Sequence, residues 1–314
     1  MSRRAWVAFA AVSLIWGVPY LFIKIAVRGG MPPLPLAWGR VAIAAILLTG
    51  LAWRRGTLGS LRGRGRWLAA YAVAEVCVPF PAIGFGEQRV PSSLAAILIA
   101  AVPLVVTVLN MRFDPEEKLT RRRAVGLLVG FGGVIALVGV QVAGSASALL
   151  GTGALLLAAV GYAIGPIVLK LKLDGLDPSA AIGGILTIAA VILAPLAALD
   201  LPSRTPTAGA LLCVVELGVV STAAAFVIMT VLIREAGTGR AMVITYVNPV
   251  IAVALGVILL GERVGAGALV GLLLILTGSW VSTGGGVPPT LKGRRRIGMR
   301  SPTAPLPERL ESRS

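Results

Sequence analysis

This sequence predicts an all-α integral membrane protein, with about ten transmembrane helices in two inverted five-helix repeats, and three observations carry that prediction. The 314 residues are 57% hydrophobic and only 13% charged, with mean hydropathy +0.91. A soluble chain carries about 25% charged residues, so lipid is the main solvent here. Apolar runs long enough to cross a hydrocarbon core of about 30 Å recur along the chain, parted by short breaks rich in Pro, Gly and Ser. The chain is also written twice. Pro103, Glu117, Gly126, Gly133 and Gly139 recur as Pro249, Glu262, Gly271, Gly278 and Gly284, an offset of 146 residues that falls to 145, and Trp16 with Lys24 recurs as Tyr162 with Lys170.

The first span, roughly 5–27, follows Arg3 and Arg4 and stays apolar up to Lys24. It is too long for a leader's apolar region and no small-x-small cleavage site follows it, so it reads as a membrane helix. A Gly29–Pro35 break precedes the second span, roughly 35–53, which contains Arg40. The third, roughly 67–86, contains Glu75, Pro79 and Pro81 and leads into Glu87, Gln88 and Arg89. The fourth, roughly 91–111, holds Pro103; the fifth, roughly 123–140, follows an Asp114–Pro115 stop and carries glycines that permit close helix approach. The same order returns in spans at roughly 152–171, 179–199, 208–232, 241–260 and 265–284. The domains are therefore a first repeat over 6–140, a second over 150–284 and a basic, Pro- and Ser-rich tail over 285–314 that is expected to be disordered against anionic headgroups.

The net charge of +16 invites a nucleic-acid reading, but its distribution argues for topology instead. With the N-terminus in the cytosol, 23 of the 29 basic residues fall on that side, which is the positive-inside pattern of a multi-pass cell (inner) membrane protein with both termini cytosolic. Five spans per repeat is an odd number, so the second repeat enters from the opposite face and the two are related by a pseudo-two-fold axis in the membrane plane. Interleaved aromatics and a nucleic-acid recognition fold are missing.

Ionisable groups within spans are costly, at roughly 2.5–3.5 kcal/mol each, and are functional candidates on that ground. Glu75 and Glu216 lie near the midplane on the third and eighth spans and are placed in the substrate or proton path; burial would let either hold and release a proton. Arg40 is a candidate for a substrate carboxylate or for pairing with Glu75 or Glu87, against the alternative of snorkelling. Lys24 and Lys170, nearer helix ends, read as snorkelling. Trp16, Tyr162, Tyr246 and Asn248 offer ring faces and hydrogen bonds to a ligand, with packing as the commoner role. Glu87 and Gln88 are gate candidates, weighed against plain solvated charge. Pro79, Pro81, Pro103 and Pro249 are helix kinks. Glu117 and Glu262 are expected to cap the helix that follows each or to pair with Lys118, Arg121 or Arg263.

The chain has no His, no Walker A string, no zinc spacing and no GxSxG elbow. No cofactor, no metal and no enzymatic activity is expected.

The strings SLIWGVPYLFIKIAV, GEQRVPSSLAAILIAAVP and EEKLTRRRAVGLLVGFGGVIALVG resemble one half of a drug/metabolite transporter of the EamA type, and VNPVIAVALGVILLGERVGAGALVGLLLILTGSW resembles the end of its second half. The resemblance covers about 6–284 and implies ten helices, two EamA-like domains and secondary transport, often efflux of amino acids or other small metabolites. Its partners would be a small-molecule solute, protons as one option, and membrane lipids, with a homodimer open. Two alternatives stay open: an uncoupled importer or facilitator on the same fold, and a non-transporting membrane scaffold.

Overall fold

The computed structural model describes residues 1–113, 119–142 and 145–284. Glu117 and the tail over 285–314 lie outside them. Within that range ten helices run in chain order: α1 Arg3–Arg28, α2 Pro33–Arg54, α3 Gly65–Glu87, α4 Ser92–Phe113, α5 Arg121–Val142, α6 Ala146–Lys172, α7 Pro178–Leu199, α8 Ala208–Ala236, α9 Gly239–Leu260 and α10 Ala266–Ser282. Nine are long and apolar enough to cross a membrane, and α10 is a shorter apolar helix of about 25 Å at 1.5 Å per residue. Strands do not occur among the described residues. Large aliphatic side chains such as Ile46, Leu128 and Ile258 are exposed, as lipid-facing positions must be.

The helix starts follow ordinary capping rules. Ser2, Ser145, Asp177 and Thr207 each accept a backbone N–H of the first turn with their side chains, which satisfies donors that lipid cannot. Several helices are interrupted where proline removes a donor. α1 hitches at Val18 before Pro19, and α4 breaks at Ala100–Ala101, just ahead of Pro103. Pro249 does not mirror that break: the interruption in α9 falls at Met242–Val243, and Pro249 lies inside the continuous segment Ile244–Leu260.

The most extensive packing joins one repeat to the other. α1 lies on α8 while its counterpart α6 lies on α3, and α2 pairs with α7, α4 with α9 and α5 with α10. Exchanging the repeats maps this set of pairs onto itself, as a pseudo-two-fold axis requires. The core is shared in the same way, with Ile97, Leu98 and Leu104 of the first repeat packed among Leu155, Leu217 and Ile275 of the second. At the α2–α7 pair the Thr49 hydroxyl donates to Gly183 O at 3.1 Å. At the α5–α10 pair glycines meet backbone to backbone: Gly126 and Gly130 lie against Gly278, and Gly133 against Gly271.

Candidate functional site

Two helices carry a π segment, and they are repeat counterparts: Val73–Cys77 in α3 and Val219–Ala224 in α8. A π segment adds one residue to a turn and is frequent at functional sites. In α3 the Val78 N–H reaches back five residues to Val73 O, and neither Pro79 nor Pro81 can donate to the turn before it. Glu75 sits within this segment. Its carboxyl lies over Gly165 of α6, where any side chain would collide with it, and Gly161 leaves room for the Ala74 carbonyl and the Pro79 ring one turn earlier. The Glu75 Oε2 is buried without a hydrogen-bond partner.

At the 146-residue offset, the position equivalent to Glu75 is Ser221. The Ser221 hydroxyl donates to Glu216 Oε1 at 2.9 Å, so Glu216 reaches from one turn away to the place that Glu75 holds in the other repeat. The second Glu216 oxygen is buried and unpartnered. Glu75 thus lies within its bulge while Glu216 reaches the corresponding one from outside, and the two are not counterpart residues.

Arg40 bridges the α8 bulge and the Phe80 ring of α3. Gly218 admits Ile43 and the Arg40 carbonyl, which lets α2 approach α8 closely. The Arg40 Nε donates to Thr222 Oγ1 at 2.8 Å, and the Thr222 hydroxyl donates onward to Leu217 O at 2.7 Å. The guanidinium carbon stands 4.1 Å from the centre of the Phe80 ring, which is in edge contact with Tyr162 at 6.5 Å between centroids. Tyr162, Glu216 and Tyr20 are the titratable groups that act on the Arg40 charge. The side chain is 7% exposed, so it does not snorkel, and it bonds to neither Glu75 nor Glu87. Its two Nη groups find no acceptor among the described residues. The arrangement leaves a planar, charged fork inside the span, lying over the Phe80 ring with Tyr162, Tyr20 and the acid Glu216 nearby, which suits a carboxylate with a second polar group close to it.

The other aromatic and amide candidates make contacts of their own. Trp16 packs edge-on to Phe226 at 5.7 Å. The Asn248 amide nitrogen, oriented by its acceptors, donates to Ile244 O at 3.0 Å and to Ser13 O at 3.1 Å, tying α9 to α1. The Tyr246 hydroxyl meets Thr283 Oγ1 at 3.1 Å, at the helix ends.

A second polar cluster lies where α3 ends and α4 begins. Here three expectations fail. Lys24 does not snorkel: it is buried, and its ammonium donates to the backbone oxygens of Glu87 and, at 2.8 Å, of Val90, closing the free carbonyls of α3. Glu87 is not solvated charge, because the bend between α3 and α4 encloses it at 0% exposure, while Gln88 beside it is exposed. Glu262 caps neither its own helix nor Arg263. Its carboxylate accepts Ser92 N at 2.7 Å, Ser92 Oγ at 3.0 Å, Ser93 N at 2.9 Å and Ser93 Oγ at 2.6 Å, so it caps α4 of the opposite repeat. Gly256 leaves the room that this reach needs.

Burial pushes the Glu262 carboxyl up, but the hydrogen bonds from Ser93 and Ser92 outweigh it and hold the group below its ordinary 4.5. A depressed folded-state value means that the clamp's contribution is complete above the unfolded value and is lost as pH falls through the folded one. Glu262→Gln is expected to destabilise the purified protein by about 2 kcal/mol at pH 7, since hydrogen bonds to charged groups contribute about 1.5–3 kcal/mol each and do not add fully. The deficit shrinks as pH falls below the ordinary 4.5 and through the lower folded-state value. Denaturant titration of native and variant protein at neutral pH and in that acid range checks it; equal deficits at the two would show that the carboxylate charge plays no part.

Tyr20, Phe80, Ser221 and Thr222 were not singled out from the sequence. Applying the 146-residue offset to Glu75 would have pointed to Ser221 and its neighbour; nothing in the sequence marks Tyr20 or Phe80 from among the other aromatics.

Two stretches, 4–139 and 149–284, each match the EamA-like transporter family. The chain is 25% identical to the uncharacterized transporter YoaV of Bacillus subtilis (strain 168), over 89% of this chain and 97% of that one. It is 28% identical to the protein of Escherichia coli (strain K12) named "Probable amino-acid metabolite efflux pump", over 91% and 96% of the two chains. It is 30% identical to the uncharacterized inner membrane transporter YedA of the same strain, over 81% and 82%. A solved crystal structure 22% identical in sequence superposes with a TM-score of 0.64 over 90% of this chain and 98% of the other, a likeness of fold alone. Doubled family match, multi-pass helical architecture and interlocked repeats agree, and the chain belongs to the EamA-like transporter family.

Proposed function

We infer that this protein is a secondary transporter of the cell (inner) membrane, with both termini cytosolic, that exports an amino acid or similar small carboxylate-bearing solute by alternating access. The observation that carries the reading is Arg40, a buried guanidinium held by Thr222 and Phe80 with both Nη groups uncommitted. It takes the solute's carboxylate in the bidentate manner for which the fork is shaped, and Glu216 or Glu75 takes a cationic group on the same solute. Glu75 and Glu216 also offer carboxyls whose proton occupancy changes with hydration, which makes a proton the driving ion. The relative named as an amino-acid metabolite efflux pump supports the direction and the solute class.

Alternating access follows from how the repeats interlock. The α5–α10 pair, in backbone contact, is the fixed stem, while the α1–α8 and α3–α6 pairs, which carry the cluster and its bulges, exchange roles as the opening switches face.

Untargeted comparison of metabolites inside and outside cells expressing native protein, Glu75→Gln or empty vector tests this. One organic acid or amino acid is expected to accumulate outside with the native chain alone. No difference between native protein and vector would remove the exporter reading, and equal export by both proteins would make Glu75 structural.

A further inference from the structure

Glu87 is a fully buried acid whose two carboxyl oxygens both lack a hydrogen-bond partner. None of the groups near it hydrogen-bonds that carboxyl. From α1, Tyr20, Lys24 and Arg28 face it, but the Lys24 ammonium bonds the Glu87 and Val90 backbone oxygens and not the carboxyl. From the α9–α10 turn, Glu262 faces it with both oxygens filled by Ser92 and Ser93. Arg89 turns back over the Phe85 ring at 3.4 Å and donates to Phe85 O at 2.9 Å. The other helices packed on this end of α3 present apolar groups, Pro33 of α2 against Gly84 and Leu155 of α6 against Gly86.

A lone carboxylate with no donor in such a place bears the full desolvation penalty of its charge, whereas a protonated carboxyl bears only a small part of it. The surroundings are also a closure. Lys24 holds α1 to the α3–α4 bend, and Glu262 holds the second repeat to the start of α4, so both ties must part before water reaches Glu87 from this end.

We propose that Glu87 is a proton-binding site, loaded while this end of the bundle is closed and emptied when the end opens, so that opening and proton release are one event. It rests on the alternating-access reading above and adds to it a third carboxyl, outside the central cluster. Its sign is definite: raising the pH on this side favours the open end, because deprotonation removes the form that tolerates burial.

The test uses the full-length protein in liposomes and needs no cargo. Infrared difference spectra across a pH titration are expected to contain a protonated-carboxyl C=O band that Glu87→Gln removes and Glu75→Gln leaves; Glu87→Asp, which keeps a carboxyl, should retain a shifted band if the amide variant folds poorly. In a Cys77→Ser, Cys213→Ser background, Val90→Cys, buried beside the Lys24 tie, should react with a membrane-impermeant maleimide up to about tenfold faster per pH unit through the transition, the limit for one linked proton, once its rate is divided at each pH by that of an exposed reference, Ser203→Cys, to cancel thiolate formation. Glu87→Gln should abolish that dependence. Absence of any band sensitive to Glu87 overturns the proton site, and a pH-independent rate ratio in the Val90→Cys protein that keeps Glu87 overturns its link to opening. Neither outcome depends on whether an exported solute is found, so failure here is distinguishable from failure of the exporter reading.

Discussion

A valine at Gly278 is expected to leave almost no folded protein. The Cβ alone would sit 2.5 Å from the Gly130 Cα and 2.6 Å from the Gly126 carbonyl oxygen, and these are backbone atoms that cannot rotate out of the way. The side chain can be accommodated only by parting α5 from α10. Overpacking against adaptable side chains costs about 1–3 kcal/mol, and forcing two helices apart along the shared stem costs more, out of a total stability of about 5–15 kcal/mol. Interface glycines of this kind let backbones approach where no hydrophobic drive acts between helices in lipid. Gly132 supplies the control, since it has open space where a Cβ would go, and Gly132→Ala should be neutral or gain about 0.5–1 kcal/mol from helix propensity. Size-exclusion profiles of fluorescent fusions of both variants decide it. A Gly278→Val protein that elutes like the native one with an unchanged melting midpoint would mean that α5 and α10 do not meet through these residues.

The repeat was legible because Pro103, Glu117 and the following glycines return at a fixed offset, and the helices because apolar runs of membrane length leave few alternatives in lipid. Placement on membrane-length helices was legible too: Glu75, Glu216 and Arg40 all fall within such helices. What a sequence of this kind hides is direction around the helix axis. A helix that is apolar on every side carries no mark of which face meets a neighbour, so nothing announced that Arg40 would point at Thr222 rather than at Glu75. Lys24 shows the same limit. Four residues from the end of α1, it has the reach to snorkel, and only the fold of the α3–α4 bend over it supplies carbonyls that hold it inside. Glu262 was read as a local cap because capping is usually local, while the interlocked repeats bring the start of α4 within hydrogen-bond reach of its carboxylate. The π segments were unreadable for a further reason: an extra residue in one turn changes no composition, and only the matching interruptions at Val73–Cys77 and Val219–Ala224 reveal it.

Arg40→Lys is expected to lower transport about 100-fold or more while leaving the fold in place, and the comparison with Arg40→Met shows why. Lysine keeps the positive charge and most of the stem that lies along Phe80, and it can still donate to Thr222, but it has no second arm to present. Losing two charge-assisted hydrogen bonds to a carboxylate removes about 3–5 kcal/mol of binding, which is about 100-fold or more in affinity. Methionine removes the charge altogether, relieves the desolvation of a buried cation and fills much of the same volume, so Arg40→Met should be at least as stable as native protein and equally inactive. That pairing separates a binding role from a structural one. If Arg40 served only to hold α2 against the bulge in α8, methionine would destabilise the protein and lysine would largely rescue both stability and flux. If it binds cargo, neither substitution unfolds the protein, both lower flux about 100-fold or more, and saturation of the residual flux in Arg40→Lys shifts to much higher solute concentration. Solute flux in proteoliposomes, measured with melting midpoints of the same preparations, distinguishes the two. A lysine variant with native flux would remove Arg40 from the substrate path and leave Glu75 and Glu216 as the groups around which the path must be drawn.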